Sequence, residues 1–348
     1  MKVFNYEPLL TVDDRESVIS CIESGIASSS HILSFEKALA SYFNSEVVCC
    51  SSGTSALHIA LLSLGVGPGH EVICPALSFS ATWNSIIYTG ASPIFCDVDP
   101  LTWCIDESKI NDLITEKTKA IMSVDLYGNL CNYDKIKEIC KENNLYLICD
   151  SAESLGSLYR NKPAASYGDI SCISFNINKI ITCNGGGAII VNNKLIDAAS
   201  ARRLINQNKK DGPDYEYHGV GYNYRMSSFS AALGYSQFLR FREILEKKKL
   251  IHKLYFDNLK NDVKFQKKQT NSDLNYWMSV IQLGNKATRE RVHDLLRKEL
   301  VETKYIFSPA IKTDNSFRLY ETCLSLPSGL NLKEAQINKI CNLVKAAL

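Results

Sequence analysis

Long apolar runs are missing from this chain. Nowhere do about eighteen apolar residues stand together, the length a membrane-spanning helix requires. An excess of charge is missing too: a formal balance of +2 removes the usual argument for nucleic acid or an acidic membrane surface as partner. The Lys247-Lys248-Lys249 cluster falls in a helical pattern and reads as a solvated face. Metal spacing is absent, since the 13 cysteines form no Cys-x-x-Cys pair and no His-x-x-x-His occurs. Cys74, Cys96, Cys149 and Cys172 lie inside apolar runs, and Cys49-Cys50 reads as packing, so the expectation is reduced thiols in a cytoplasmic protein. The opening Met1-Lys2-Val3-Phe4-Asn5-Tyr6-Glu7-Pro8 lacks the apolar core of an export signal, which points the same way. No internal repeat or low-complexity linker interrupts the chain.

What is present is an ordinary globular composition, 45% hydrophobic and 22% charged, over 348 residues. That length suits about two domains. Thr11-Val12-Asp13-Asp14 reads as a capping box opening a helix with Val18, Ile19 and Ile22 on one face and Gly25 as its stop. A second amphipathic helix runs through Ile32, Phe35, Leu39 and Phe43. From Glu46 the pattern alternates. Strand-like runs are Val47 to Cys50, Glu71 to Ala76, Pro93 to Val98, Lys119 to Leu126 and Leu145 to Cys149. Helical runs between them are Ser80 to Tyr88, Glu107 to Ile114 and Tyr133 to Glu142. Such alternation predicts an α/β fold with a large, mostly parallel sheet covered on both faces.

After Asn193 the character shifts. A long helical segment from Ser227 to about Asn261, with Gly234 its one strong breaker, is expected to bridge two domains. A strand (Tyr276 to Leu283), a charged helix (Thr288 to Leu300) and a closing helix (Leu332 to Leu348) read as a smaller α+β domain. The expected division is 1–235 and 236–348.

Ligands of parallel sheets bind beyond the carboxyl ends of the strands, which sets Ser51 to Ser55, Leu77 to Phe79, Asp125 and Asp150 on one rim. Lys179 stands between the run Cys172 to Phe175 and the cluster Asn184-Gly185-Gly186-Gly187. A desolvated lysine there is a Schiff-base nucleophile; a snorkelling head group is the plainer reading. Asp150 is either a helix cap or a carboxylate that holds a pyridinium nitrogen protonated. Ser51 to Ser55 is either a hydroxyl-rich N-cap or a phosphate seat. Phe79 is either core or a plate for a planar ring.

A lysine, an aspartate, a phosphate seat and an aromatic plate on one rim are the parts of a pyridoxal phosphate site. Their order and wording resemble the DegT/DnrJ/StrS sugar aminotransferases, of the aspartate-aminotransferase fold (fold type I). The resemblance runs from about Tyr6 to the closing helix. It rests on Ser52-Gly53-Thr54-Ser55-Ala56-Leu57-His58, Gly90 to Asp99, Ser174-Phe175-x-x-x-Lys179 and Gly221-Tyr222-Asn223-Tyr224-Arg225-Met226. Thr102 to Asp106, Asn178 to Thr182 and Asp150-Ser151-Ala152-Glu153 look most like the GDP-perosamine synthases within it.

The resemblance implies that Lys179 forms the Schiff base and moves the proton, Asp150 pairs with the pyridine nitrogen and Phe79 stacks on the ring. It implies that Thr54, Ser55 and Ser174 hold the phosphate of pyridoxal 5'-phosphate and that Glu153 lies near the ring's hydroxyl side. Asn223 would reach the phosphate of a second subunit's cofactor, giving a homodimer with shared sites. L-glutamate is the implied amino donor, and a nucleotide-linked 4-keto-6-deoxy sugar for surface polysaccharide the implied acceptor.

Two departures stand out. Asn184 occupies the place of the family's glutamate before the glycines. The family's Arg-Pro-x-Phe-x-Pro-x-His-like segment reads Glu302 to Ile311 here, with Lys304 for Arg and no His. A small phosphorylated ketone of triose size, held by Lys304 or Arg318, is therefore the alternative acceptor. A non-catalytic regulator or scaffold is the alternative of another class, and Lys179 speaks against it.

Overall fold

Seven segments rich in Val, Ile, Cys and Ala build the main sheet of the computed structural model, which describes residues 2–348. They are β1 (Glu46–Cys50), β2 (Glu71–Pro75), β3 (Ser92–Cys96), β4 (Thr118–Val124), β5 (Tyr146–Asp150), β8 (Ile170–Ser174) and β9 (Gly187–Val191), with β6 (Leu158–Tyr159), β7 (Lys162–Pro163) and β11 (Ser272–Asp273) a small sheet to the side. The order is β1-β9-β8-β5-β4-β2-β3. From β8 to β3 all neighbours are parallel, and β9 runs antiparallel to both β8 and β1. Side chains alternate across the pleat. Val47 and Cys49 pack with Phe35 and Leu39 of α2 (Ser30–Phe43), whereas Val48 and Cys50 pack with Ala56 and Ile59 of α3 (Gly53–Ser63). The sheet is therefore buried on both faces, as expected of α/β architecture.

The second body is an antiparallel sheet of β10 (Lys264–Phe265), β12 (Ser279–Gln282), β14 (Cys323–Leu326) and β13 (Lys304–Tyr305), in that order. Residues of α8 (Phe241–Leu259), α9 (Lys286–Lys298) and α11 (Glu334–Ala347) share its core. The N-terminal strand-like segment lies on this body: Val3 pairs with Val301, and the Asn5 side chain donates to Ser325 O at 3.2 Å. No helix among the described residues is long and apolar enough to cross a membrane.

Three expectations are corrected. Glu107 to Ile114 makes two 3-10 turns, Glu107–Lys109 and Asn111–Leu113, the first capped by the Asp106 side chain, which accepts the Ser108 N–H. The long helix breaks at Arg240 into α7 (Ser228–Leu239) and α8, and Gly234 is not the breaker. A Cβ on Gly234 would meet Cys183 Sγ at 2.4 Å, so that glycine lets α7 approach the loop after β8. Lys248, taken as part of a solvated cluster, is 1% exposed, and burial lowers its amine to about 7.

The break at Arg240 is held from far away in sequence. Asp14, on the first turn of α1 (Val12–Glu23), accepts from Arg240 Nη2 at 2.7 Å, Gln237 Nε2 at 2.8 Å and Ser236 Oγ at 2.8 Å. It also closes the capping box by accepting the Thr11 N–H at 2.8 Å. Removing one partner of a buried pair leaves the other charge stranded, a loss of about 3–5 kcal/mol. Asp14→Ala should accordingly lower the melting temperature by several degrees, and Asp14→Asn by less. An unchanged melting curve for Asp14→Ala would show that the break forms without it.

Candidate active site

The carboxyl ends of β1, β2, β5 and β8 converge on a cavity of about 280 Å³, where parallel sheets bind ligands. β1 delivers Ser52, Gly53 and Thr54 at the start of α3. Ser52 Oγ accepts the Ser55 N–H at 3.0 Å, and the first turn of any helix leaves its leading N–H groups without intrahelical acceptors. The Gly53 and Thr54 N–H groups are then donors at the rim, beside the Ser174 hydroxyl. A Cβ on Gly53 would fall 2.8 Å from Ser174 Cβ, so glycine alone allows helix and strand end to come this close. Backbone donors, two hydroxyls and a helix N-terminus make an anion corner.

At the other end stands Asp150, the last residue of β5. Its Oδ2 accepts from Thr82 Oγ1 at 2.8 Å and its Oδ1 from the Ala152 N–H at 3.3 Å. Burial pushes its carboxyl above the usual range, against the pull of those bonds and of Lys179. Glu153 is pushed up by burial as well, with Lys179 and the Tyr127 N–H (2.7 Å) opposing. Between the carboxylates, Lys179 Nζ lies 3.3 Å from Glu153 Oε1 and 4.0 Å from the centre of the Trp277 ring. Lys179 is thus a paired, mostly buried amine inside the cavity, and the snorkelling alternative is set aside.

Of the residues expected at the site, Lys179, Asp150, Glu153, Thr54, Ser174 and Phe79 line one cavity. Ser55 does not: its hydroxyl faces Ser52, donating to Ser52 O at 2.8 Å and accepting the Ser52 N–H at 2.9 Å. Asn223 lies elsewhere, in a separate hollow of about 720 Å³ with Arg225, Ile26, Leu33 and Phe229. Lys304 and Arg318 also miss the cavity. Lys304 is largely exposed on β13, and Arg318 donates to Asn315 Oδ1 at 2.9 Å on α10 (Asp314–Thr322). Among its described lining residues Lys179 is the only cation.

Sequence reasoning missed Trp277, Phe307, Thr82 and Tyr6. Thr82 carried a faint signal, three residues beyond Phe79 on the first turn of α4 (Ala81–Tyr88). Tyr6, whose hydroxyl donates to Lys179 O at 2.9 Å, carried none. Trp277 and Phe307 come from the second body. With Tyr127 and Phe79 they form an aromatic series: Tyr127 stacks on Trp277 (5.9 Å) and on Phe307 (5.3 Å), and Phe307 meets Phe79 at 5.5 Å.

An anion corner, an aromatic plate, a buried carboxylate and an amine in one cavity fit a planar aromatic phosphate. Residues 9–345 match the DegT/DnrJ/EryC1/StrS aminotransferases. The chain belongs to that family. It is 36% identical to a GDP-perosamine synthase of Caulobacter vibrioides over 353 residues, covering 96% of this chain and 95% of the relative. A GDP-perosamine synthase of Escherichia coli O157:H7 is also 36% identical, over 97% of this chain and 96% of its own. The fold is shared with Helicobacter pylori PseC, an aminotransferase involved in the biosynthesis of pseudoaminic acid. The TM-score is 0.93 with 24% identity, covering 100% of this chain and 99% of PseC. The expected aspartate-aminotransferase architecture and aminotransferase class therefore hold.

Behind the site lies a carboxylate that never reaches the cavity. Asp125 accepts from Tyr133 Oη (2.6 Å), Ser151 Oγ (2.8 Å) and Ser154 Oγ (2.6 Å), the serines flanking Glu153. Burial nevertheless raises it to about 6. Its folded pKa lies above the ordinary value, so its contribution to stability is fully present below about pH 4. That contribution is lost as pH rises through about 6. Wild type should lose up to about 3 kcal/mol more than Asp125→Asn between pH 4 and pH 7. Denaturation curves of both chains across that range check this; parallel slopes would remove Asp125 as the titrating group.

Proposed function

We propose that the chain moves an amino group from L-glutamate to a nucleotide-linked 4-keto-6-deoxy sugar, with pyridoxal 5'-phosphate as cofactor. The observation that carries this is Lys179, an amine set between the Glu153 carboxylate and Trp277 in the cavity that also holds Asp150. Near-full-length similarity to GDP-perosamine synthases supports the sugar. Thr54, Ser174 and the first N–H groups of α3 would hold the phosphate, and Phe79 would offer an aromatic wall to the ring. Ser55 keeps the phosphate loop in shape through its cap. When bound, the cofactor supplies an electron sink for the pair released as a C–H proton leaves the substrate. Lys179 Nζ provides the nucleophilic amine, then carries that proton; Glu153 Oε1 holds the amine in place. Asp150 keeps the ring nitrogen protonated, a role that a buried carboxylate fixed by Thr82 can fill. Glutamate leaves as its keto acid before the sugar ketone is aminated.

The working unit in this reading is a homodimer. Ile19, Ile22, Ile26 and Leu33 of α1, α2 and the turn between them are exposed, and Ile26 and Leu33 line the hollow that holds Asn223 and Arg225. Covered by a second copy, that strip brings Asn223 to the partner's phosphate. The two-domain division stays a proposal with its boundary moved from 235, which falls inside α7 (Ser228–Leu239), to the break at Arg240, and residues 3–5 lie on the second body. The triose-phosphate alternative loses its anchors, because Lys304 and Arg318 stand away from the cavity.

Lys179→Ala should fold, show no transamination, and lose the cofactor mass that borohydride fixes to the Lys179 peptide of wild type. Mixing Lys179→Ala with Asn223→Ala should recover roughly a quarter of wild-type activity, since half the dimers are mixed and one of their two sites is intact. No recovery, with mixed dimers demonstrated, would assign both residues to one chain's site.

The acceptor is tested by the half-reaction. Chain loaded with pyridoxamine phosphate is mixed with GDP- or dTDP-linked 4-keto-6-deoxy sugars, and return of the pyridoxal absorbance is followed. Fast return at micromolar sugar is expected. Indifference to every nucleotide sugar, with rapid reaction of a phosphorylated triose ketone, would sink the assignment.

A further inference from the structure

Lys179 must spend part of each turnover with its amino group free, and something has to hold it then. We propose that Trp277 is the positioning residue for that amine, with Lys248 the clamp that sets Trp277 in place. The inference rests on the reading of Lys179 above and adds two residues to it.

Trp277 is 2% exposed and reaches across from the second body, just ahead of β12. Four contacts fix it. Its Nε1–H donates to Asn178 O at 2.5 Å, next to Lys179 itself. Its main-chain N–H donates to Asn275 Oδ1 at 2.9 Å, and Asn275 Nδ2 in turn donates to Glu153 O at 2.8 Å and Leu155 O at 3.0 Å. Its carbonyl accepts from Lys248 Nζ at 3.0 Å. Its ring stacks on Tyr127, whose N–H holds the other oxygen of Glu153. The preceding residue, Tyr276, has φ +50°, a left-handed conformation that a bulky residue adopts only when its surroundings impose it. Its ring stacks on His252 of α8, ring centres 3.9 Å apart.

Lys248 is unusual in its own right. Among the described residues it has no carboxylate partner; its amine donates to two carbonyls, Trp277 O and Ser328 O (2.6 Å), and lies 5.2 Å from the Tyr6 ring. Tyr6 then donates to Lys179 O. A neutral amine retains two N–H donors, enough for both carbonyls, so burial does not undo the clamp. Lys248, Trp277 and Tyr6 thus form a brace behind Lys179. The indole face offers the amine a second attractive surface besides Glu153, 4.0 Å from its nitrogen. Together they limit its swing while it is free and return it to the same spot to carry the proton.

The test uses the full chain stripped of cofactor, so that its readout does not depend on turnover. Acylation of Lys179 by dilute acetic anhydride is measured by peptide mass against the exposed Lys194 as internal reference. Trp277→Leu should speed Lys179 labelling by roughly three- to tenfold. Lys248→Met, which leaves the cavity lining untouched, should speed it by about threefold. In the loaded enzyme both should lower kcat while the KM for glutamate stays within about twofold. Unchanged labelling in whichever variants fold, as judged by circular dichroism, overturns the proposal. An active Lys179→Ala would overturn the underlying reading instead, and would leave the labelling result as a statement about packing alone.

Discussion

Two buried carboxylates and one amine share one cavity, and the rest of the structure depends on that imbalance. Lys179 can neutralise only one of Asp150 and Glu153, and it stands within ion-pair distance of Glu153. Burial lifts both carboxyls, which means that each charge is held at a cost. A protonated ring nitrogen next to Asp150 would restore balance, so the site is electrostatically matched to a cationic aromatic ring and not to a neutral one. Its other end is matched to an anion by α3. The cavity is a dipole, positive at the helix terminus and negative at the strand end.

Keeping two carboxylates dry demands a rigid turn between them, and Asp125 supplies it. Ser151 and Ser154 bracket Glu153 and both donate to Asp125. Tyr133, the first residue of α5 (Tyr133–Glu142), adds a third donor. The turn 150–154 is therefore set from beneath by a group that never meets substrate. On the other side, Asn275 ties Glu153 O to the second body.

This division of labour explains what could be read from the sequence. Strand ends are local, so Thr54, Phe79 and Asp150 were placeable on the rim from hydrophobic alternation and turn chemistry, whereas Ser174 came from the family resemblance and Asp125, set on the same rim, is fully buried behind the cavity. Lys179 stood out because a charge between two buried strands has few plain explanations. Ser55 resembled a ligand because cap and phosphate seat use the same residues; only the direction of its hydroxyl separates them. Trp277, Phe307 and Tyr6 were invisible because they arrive from segments 98, 128 and 173 residues away from Lys179 along the chain. The helix break at Arg240 was hidden for the same reason, since Asp14, which bonds it, stands 226 residues earlier. Lys248 misled because a lysine triplet on a helix reads as solvated, while helical geometry points its middle member inward.

The segment Glu302 to Ile311 shows how the departures from the family's wording affect the cavity. It contributes no cation. It contributes Phe307, whose N–H donates to Tyr127 Oη at 3.2 Å and whose ring stacks on Tyr127 and meets Phe79. The aromatic series from Trp277 through Tyr127 and Phe307 to Phe79 thus crosses the joint between the bodies without a break. Stacked rings transmit position more stiffly than long charged side chains do, because few rotamers are open to them. A series anchored by the Lys248 clamp at one end and by the plate at the other links the placement of the second body to both the amine and the ring wall. On this side the cavity presents apolar faces, while its positive groups are confined to the α3 terminus and Lys179.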